Sequence, residues 1–186
     1  MSPWVGHPAR RVYLDNAATS FPKPPEVARE MLRCLTEAGG NPGRGAYAES
    51  QEASAIVARC RRAVARLVGA PDPSSIVFTH NCTESLNLVI HGILHPGQAN
   101  HLICTVMDHN SVLRPMHELR HRGLAEISVV PADGTQGRID PEAVAGAIRP
   151  HTRLVAICHA SNVTGTIQPT GPIIRAAHAR NVPVLV

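Results

Sequence analysis

Aromatic residues are scarce in this chain: one Trp, two Tyr and two Phe make up 3% of its 186 residues. A core without aromatics must be filled by Val, Leu, Ile and Ala, and a surface without them offers no platforms on which nucleic-acid bases stack. The net charge is +4, yet the densest basic stretch, Arg59-Cys60-Arg61-Arg62 with Arg66, reads as the solvated face of a helix, and no nucleic-acid partner is expected. The five cysteines include no CxxC pair, which argues against a zinc knuckle or a disulfide framework and fits a reducing cytoplasm. The eleven histidines are scattered without an HExxH motif, so no metal site is expected. No apolar run approaches membrane-spanning length, and residues 1–11 lack an apolar leader segment and read as a loose lead-in. Lysine is scarce too: Lys23 is the only one.

What is present is alternation. Hydrophobic residues make up 44% of a chain long enough for one domain with a sizeable core. Four apolar runs read as buried strands: Ser75-Ile76-Val77-Phe78-Thr79, Leu102-Ile103-Cys104-Thr105-Val106, Leu154-Val155-Ala156-Ile157-Cys158 and Val182-Pro183-Val184-Leu185-Val186. Helices are expected near 83–94, 111–122, 140–148 and 171–180. The start at 140 is signalled by Asp140-Pro141-Glu142: a cap, an N1 proline and an acidic first turn. Two helices precede them. The first begins near Pro25, after a proline-rich segment that cannot be helical, and carries the apolar stripe Val27, Met31, Cys34, Leu35 and Ala38. The second runs from about Glu49 to Val68 with Ile56, Cys60, Val64, Leu67 and Val68 on its buried face, and Gly69 ends it. Alternating strands and helices imply an α/β fold, a three-layer arrangement with a mostly parallel sheet covered on both faces. The run 182–186 is expected to leave an unpaired apolar edge, so the isolated chain should be prone to aggregation.

In such sheets ligands gather at the carboxyl ends of the strands, and three of the four runs lead there into polar clusters. Asn81-Cys82-Thr83-Glu84 opens a helix, where free N–H groups and the dipole attract a phosphate; Thr83 also suits a plain helix cap. In Asp108-His109-Asn110-Ser111, the histidine can stack on a ring or move protons, or can be a loop residue beside a Ser111 cap. In Ser161-Asn162-Val163-Thr164-Gly165-Thr166, Asn162 offers a donor and acceptors, or simply makes a side-chain-closed turn.

Together these segments resemble the class V aminotransferase family. The matching segments are Val12-Tyr13-Leu14-Asp15-Asn16-Ala17-Ala18-Thr19, Phe78-Thr79 with Thr83-Glu84 and Asn87-Leu88, Asp108-His109-Asn110-Ser111-Val112, and Ser161 to Thr166, all in family order. The family holds pyridoxal 5'-phosphate (PLP) and includes cysteine desulfurases and selenocysteine lyases. The resemblance implies the large PLP-binding domain of the aspartate aminotransferase-like fold over residues 12–186, incomplete at its C-terminus. It implies that Cys82 and Thr83 hold the cofactor phosphate, that His109 stacks on the ring and assists proton transfer as the catalytic residue, and that Asn162 bonds the ring's phenolic oxygen. It also implies a homodimer when full length, an amino-acid substrate with cysteine first in line, and a sulfur-acceptor protein.

The family's pyridinium-binding aspartate, its Schiff-base lysine and the desulfurase's reactive cysteine match no residue here. Lys23 lies in a proline-rich segment that resembles no Schiff-base motif. The expectation is therefore the N-terminal part of a PLP-dependent, cysteine desulfurase-like enzyme whose 186 residues alone are inactive. The alternatives are an aminotransferase or other amino-acid lyase of the same family, or a non-catalytic remnant that binds a full-length partner. A reactive cysteine in the C-terminal part would favour the desulfurase over the first alternative, and a stable monomer without PLP affinity would favour the remnant.

Overall fold

The computed structural model describes residues 12–186. The lead-in expected at 1–11 lies outside the described residues. The chain divides between Phe78 and Thr79 into two compact units.

The first unit holds two helices, α1 (Pro25–Glu37) and α2 (Ala48–Val68). Proline at the first turn of α1 and the left-handed Gly69 after α2 act as the sequence suggested. The helices are tied by Arg33, which reaches Glu30 at 3.0 Å and Glu52 at 3.3 Å, with Arg59 also on Glu52 at 3.1 Å. Gly40 lets the connection pass against α2, because a β-carbon there would stand 2.5 Å from the Glu49 backbone. Most of the residues in the expected apolar stripes are not buried, although Ala38 is, at 2% exposure. On α1, Met31 and Leu35 are exposed, the latter at 79%. On α2, Leu67 is 85% exposed, and the buried residues are Ser50, Ala53 and Ala65. Periodicity fixes which residues share a helix face, but not which face meets the neighbouring helix. Here the buried Ser50 meets the connection between the helices, its hydroxyl donating to Asn41 O at 2.7 Å.

A further expectation fails at the end of this unit. The run 75–79 is not a strand. Asp72 accepts the Ser74 amide at 2.8 Å and closes a 3-10 turn over Pro73–Ser75. The following Val77 and Phe78 are largely exposed, without a ladder partner among the described residues.

The second unit alternates α3 (Cys82–Gly92), β1 (His101–Thr105), α4 (Asn110–His121), β2 (Glu126–Val130), α5 (Pro141–Ala147), β3 (Thr152–Ala156), α6 (Thr170–His178) and β4 (Val184–Leu185). The sheet is wholly parallel, in the order β2-β1-β3-β4. Its covering follows the two-residue side-chain period of a strand. Leu102, Cys104, Leu154 and Ala156 face Ile90 of α3 and Val112, Met116 and Leu119 of α4. Ile103, Val155 and Ile157 face Val144 of α5 and Ile173 and Ala177 of α6. Both faces are thus covered, which gives the α/β fold and three layers that the alternation implied. β4 is shorter than the apolar run 182–186: Val182 is buried in the core below the strand, while Val186 is exposed. β2, an edge strand with a mixed burial pattern, was not among the four apolar runs, because Glu126 and Ser128 interrupt it.

This order positions the site. The chain leaves β1 for β2 on one side and returns to β3 on the other, with the crossover helices on opposite faces. Right-handed connections require that change of face, and it opens a crevice between the carboxyl ends of β1 and β3.

Candidate functional site

Four chain segments supply the polar residues of the second unit's carboxyl-end rim. The first is the start of α3. Asn81, not Thr83, is the cap: its side chain accepts the Glu84 amide at 2.9 Å. Glu84 reaches back, accepting the His80 amide at 2.7 Å and lying 2.9 Å from His80 Nδ1. That amide bond, first among the causes, holds the Glu84 carboxyl below its usual range. The signal was present in the sequence, since Asn81-x-x-Glu84 has capping-box spacing. Cys82 and Thr83 occupy the first two helical positions, where an N–H has no intrahelical acceptor. The Thr83 hydroxyl makes no hydrogen bond among the described residues.

The second segment follows β1. Here His109, not Ser111, is the cap of α4: its Nδ1 accepts the Ser111 amide at 3.1 Å and lies 2.8 Å from the Ser111 hydroxyl. An Nδ1 that accepts an N–H carries no proton, so the neutral ring holds its proton on Nε2. The preceding Asp108 is buried. Its Oδ2 accepts the Thr105 amide at 2.6 Å and the Thr105 hydroxyl at 2.9 Å, and its Oδ1 accepts the Cys158 amide at 2.6 Å. Burial pushes this carboxyl up, and the Thr105 and Cys158 donors oppose the rise.

The other two segments are a matched pair of turns, 133–138 and 161–166. In each, the first residue's side chain (Asp133, Ser161) accepts the amides ahead of it. A glycine four positions on (Gly137, Gly165) takes a positive φ and donates to the first residue's carbonyl. An antiparallel bridge closes each turn, Ala132 with Ile139 and Ala160 with Ile167. The turns are joined: the Thr166 hydroxyl donates to Gln136 O at 2.9 Å, and the buried Gln168 accepts the Ile139 amide at 2.9 Å and donates to Gly137 O at 2.7 Å. Asn162 rides on the second turn, exposed and with no hydrogen bond among the described residues.

Of the residues singled out in the sequence, Thr83 and His109 line one cleft of about 350 Å3, shared with Asn87, Asn110, Ser111 and Arg114. Cys82 and Asn162 do not line it. A larger cleft of about 670 Å3 beside α4 is lined mainly by apolar groups such as Val106, Leu113, Met116 and Ile127, and it holds neither Thr83 nor His109. Chemistry, not volume, therefore marks the site. Asp108 and Gln168 were not singled out in the sequence. An acid just past a buried strand was the available sign of Asp108, whereas nothing local marks Gln168.

Two buried or half-buried cysteines near this rim, Cys104 and Cys158, have thiols raised above their ordinary range. Burial pushes the Cys104 thiol up to about 12, with the Asp108 charge adding to the rise and Arg120 opposing it. Cys158, expected inside a strand, lies just beyond β3 and is half-buried; burial and Asp108 raise it as well. Lys23, in the first unit, donates to the Thr19 hydroxyl at 3.0 Å and to Ser20 O at 2.9 Å. Among the described residues no group of three or more His, Cys, Asp or Glu could hold a metal ion, and no helix is long and apolar enough to cross a membrane.

Known proteins resemble this chain along most of its length. The bovine (Bos taurus) protein named selenocysteine lyase is 34% identical over 192 aligned residues, covering 93% of this chain and 43% of its own length. A cysteine desulfurase IscS from Stutzerimonas stutzeri is 37% identical over 175, covering 92% of this chain and 42% of its own. Among solved structures, a NifS-like protein superposes with a TM-score of 0.86 at 32% identity, over 94% of this chain and 48% of that one. A structure described as SspA in complex with cysteine gives 0.84 at 32% identity, over 92% of this chain and 49% of that one. The chain spans less than half the length of these relatives. The family model described as Aminotransferase class-V matches residues 12–186, and the chain belongs to that family.

Proposed function

We propose that this chain is the N-terminal, cofactor-holding part of a PLP-dependent enzyme that takes sulfur from L-cysteine and leaves alanine. One observation carries the reading: Thr83 and His109 share a cleft at the carboxyl-end rim of a parallel sheet. The relatives named as cysteine desulfurase and selenocysteine lyase support it over an aminotransferase.

The donor set fits a phosphorylated pyridine. The unspent N–H groups of Cys82 and Thr83, the free Thr83 hydroxyl and the positive end of α3 suit a phosphate. The flat His109 ring is clamped through Nδ1, which leaves a face to stack and the Nε2 proton for hydrogen bonding. Asn162 has its amide unspent for the phenolic oxygen. When bound, the cofactor supplies an electron sink for the bonds at the substrate's Cα. The chain's own contribution is placement: α3 anchors the phosphate, His109 fixes the ring plane and presents a proton at Nε2, and the 161–166 turn holds Asn162.

In this reading the chain acts as part of a longer protein, a cytoplasmic homodimer that passes sulfur to an acceptor protein. Within the 186 residues the sole amine side chain, Lys23, is engaged with Thr19 and Ser20, and the chain alone is inactive.

The test is production of alanine from cysteine by the full-length protein with PLP, the sulfur being released as sulfide by an added dithiol reductant. Activity that falls in Thr83→Val and His109→Ala supports the reading, and an equally active His109→Ala variant counts against it. Borohydride reduction of the 186-residue chain with PLP should leave Lys23 unmodified; a pyridoxyl group on Lys23 together with turnover would overturn the inactivity of the chain alone.

A further inference from the structure

The crevice between β1 and β3 is crossed by a single side chain. Asp108 follows β1 and immediately precedes His109, and it is only 7% exposed. One carboxylate oxygen holds its own strand end, through the amide and hydroxyl of Thr105. The other holds the opposite strand end, through the Cys158 amide at 2.6 Å. Cys158 begins the segment that leads through Ser161 to Asn162. Toward the carboxyl end of the sheet, the backbone pairing of β1 with β3 ends at Ile103 with Val155. Beyond that pair, His109 and Asn162 sit on diverging segments.

We infer that Asp108 is a positioning residue that sets the spacing and orientation of the His109 wall relative to the Asn162 wall. The chemistry of the group suits the task. A carboxylate is a pure acceptor with two oxygens, and each faces donors from a different strand end. Charge-assisted bonds to backbone amides are short and strong. An asparagine of the same shape must turn an NH2 group toward either the Cys158 amide or the Thr105 donors, so one side of the crevice loses its hold. His109 is coupled directly, because the Asp108 backbone leads into its cap position and because Asp108 and Thr105 close the turn between β1 and α4. The inference rests on the proposed function for what the walls hold. The spacing itself does not depend on it.

The experiment uses Asp108→Asn in the full-length protein. In the cofactor-free protein, nuclear magnetic resonance of the His109 ring and of the Cys158 amide reads the geometry. Both signals should move, and the Cys158 amide should lose protection from solvent exchange. In the PLP-loaded protein, kcat for cysteine should fall roughly tenfold to a hundredfold with KM little changed, as expected for misplaced reacting groups. A lower melting temperature with the His109 ring and kcat both at wild-type values would overturn the inference, leaving Asp108 a merely structural residue. Should the asparagine variant not fold, Thr105→Val keeps the Asp108–Cys158 bond and removes one bond to Oδ2. It should shift the same two signals less far, and unchanged signals again overturn the inference. If the wild-type protein proves not to use PLP, the proposed function fails, and the His109 and Cys158 signals alone decide this one.

Discussion

His101 Nδ1 lies 2.8 Å from the Thr152 hydroxyl, joining β1 to β3 at the amino end of the sheet, opposite the Asp108 bond. One pattern satisfies every group there. The Arg149 amide donates to the Thr152 oxygen at 2.7 Å, the Thr152 hydroxyl donates to Nδ1, and Nε2–H donates to Ser128 of β2 at 2.9 Å. A fully buried imidazole thus cross-links three strands in its neutral form.

That neutrality has a pH signature. Burial first, then the charges of Arg149 and His151, push the His101 pKa from 6.5 down to about 4, with Glu126 opposing. The unfolded chain binds a proton at this position near the ordinary value, and the folded chain does not until near 4. Stability is therefore fully present above the ordinary value and declines as pH falls through the window between the two. Urea midpoints measured from pH 7.5 to 4.5 should drop, and the drop should be smaller in His101→Gln. Equal slopes in the two proteins would refute the assignment.

The cap of α3 separates folding from anion binding. Asn81→Ala should cost about 1 kcal/mol of stability, the usual worth of an N-cap. Asn81→Asp keeps a cap oxygen but adds a negative charge beside the proposed phosphate cradle. It should melt like the wild type yet bind PLP more weakly in an absorbance titration. Unchanged PLP affinity would remove α3 from the cofactor site.

Thr83→Val tests the hydroxyl alone, since the side-chain shape is nearly kept and no internal bond is lost. Stability should change by less than about 0.5 kcal/mol. PLP affinity should fall by roughly tenfold to a hundredfold, the worth of a hydrogen bond to a charged group. Titration of the two proteins side by side reads this.

Gln168 bonds two backbone groups at the end of the 133–138 turn from a buried position. Gln168→Ala leaves the Ile139 amide and the Gly137 carbonyl without partners and should cost about 2–3 kcal/mol. A shift in the denaturant midpoint at constant slope would report it.

Much of this architecture was readable in advance. Pro25, Gly69 and the Asp140-Pro141-Glu142 start mark real helix ends, and the alternation from Leu102 onward implied a parallel sheet covered on both faces. Where the reading failed, the missing information was tertiary. Leu35 and Leu67 lie on correct helices, yet both are exposed, and the residues of α2 that are buried are Ser50, Ala53 and Ala65. Val77 and Phe78 are strand-like in composition, but a strand also needs a partner. Among the candidate site residues, Thr83, His109 and Asn162 stood out because their neighbours form motifs, and the structure brings Thr83 and His109 to one cleft. Asp108 was passed over in favour of the histidine beside it, because its role depends on Cys158, fifty residues away. The caps were misassigned by two positions, since Asn81 and His109 compete with Thr83 and Ser111 for the same orphan amides.

The paired turns have one more consequence. Because Thr166 and Gln168 fasten the 161–166 turn to the 133–138 turn, a disturbance at Asn162 should be felt in the neighbouring turn. A β-carbon at Gly134 meets nothing within 4 Å. A fluorescent amino acid installed there should brighten or dim as ligand reaches Asn162, turning a structural turn into an optical reporter of site occupancy.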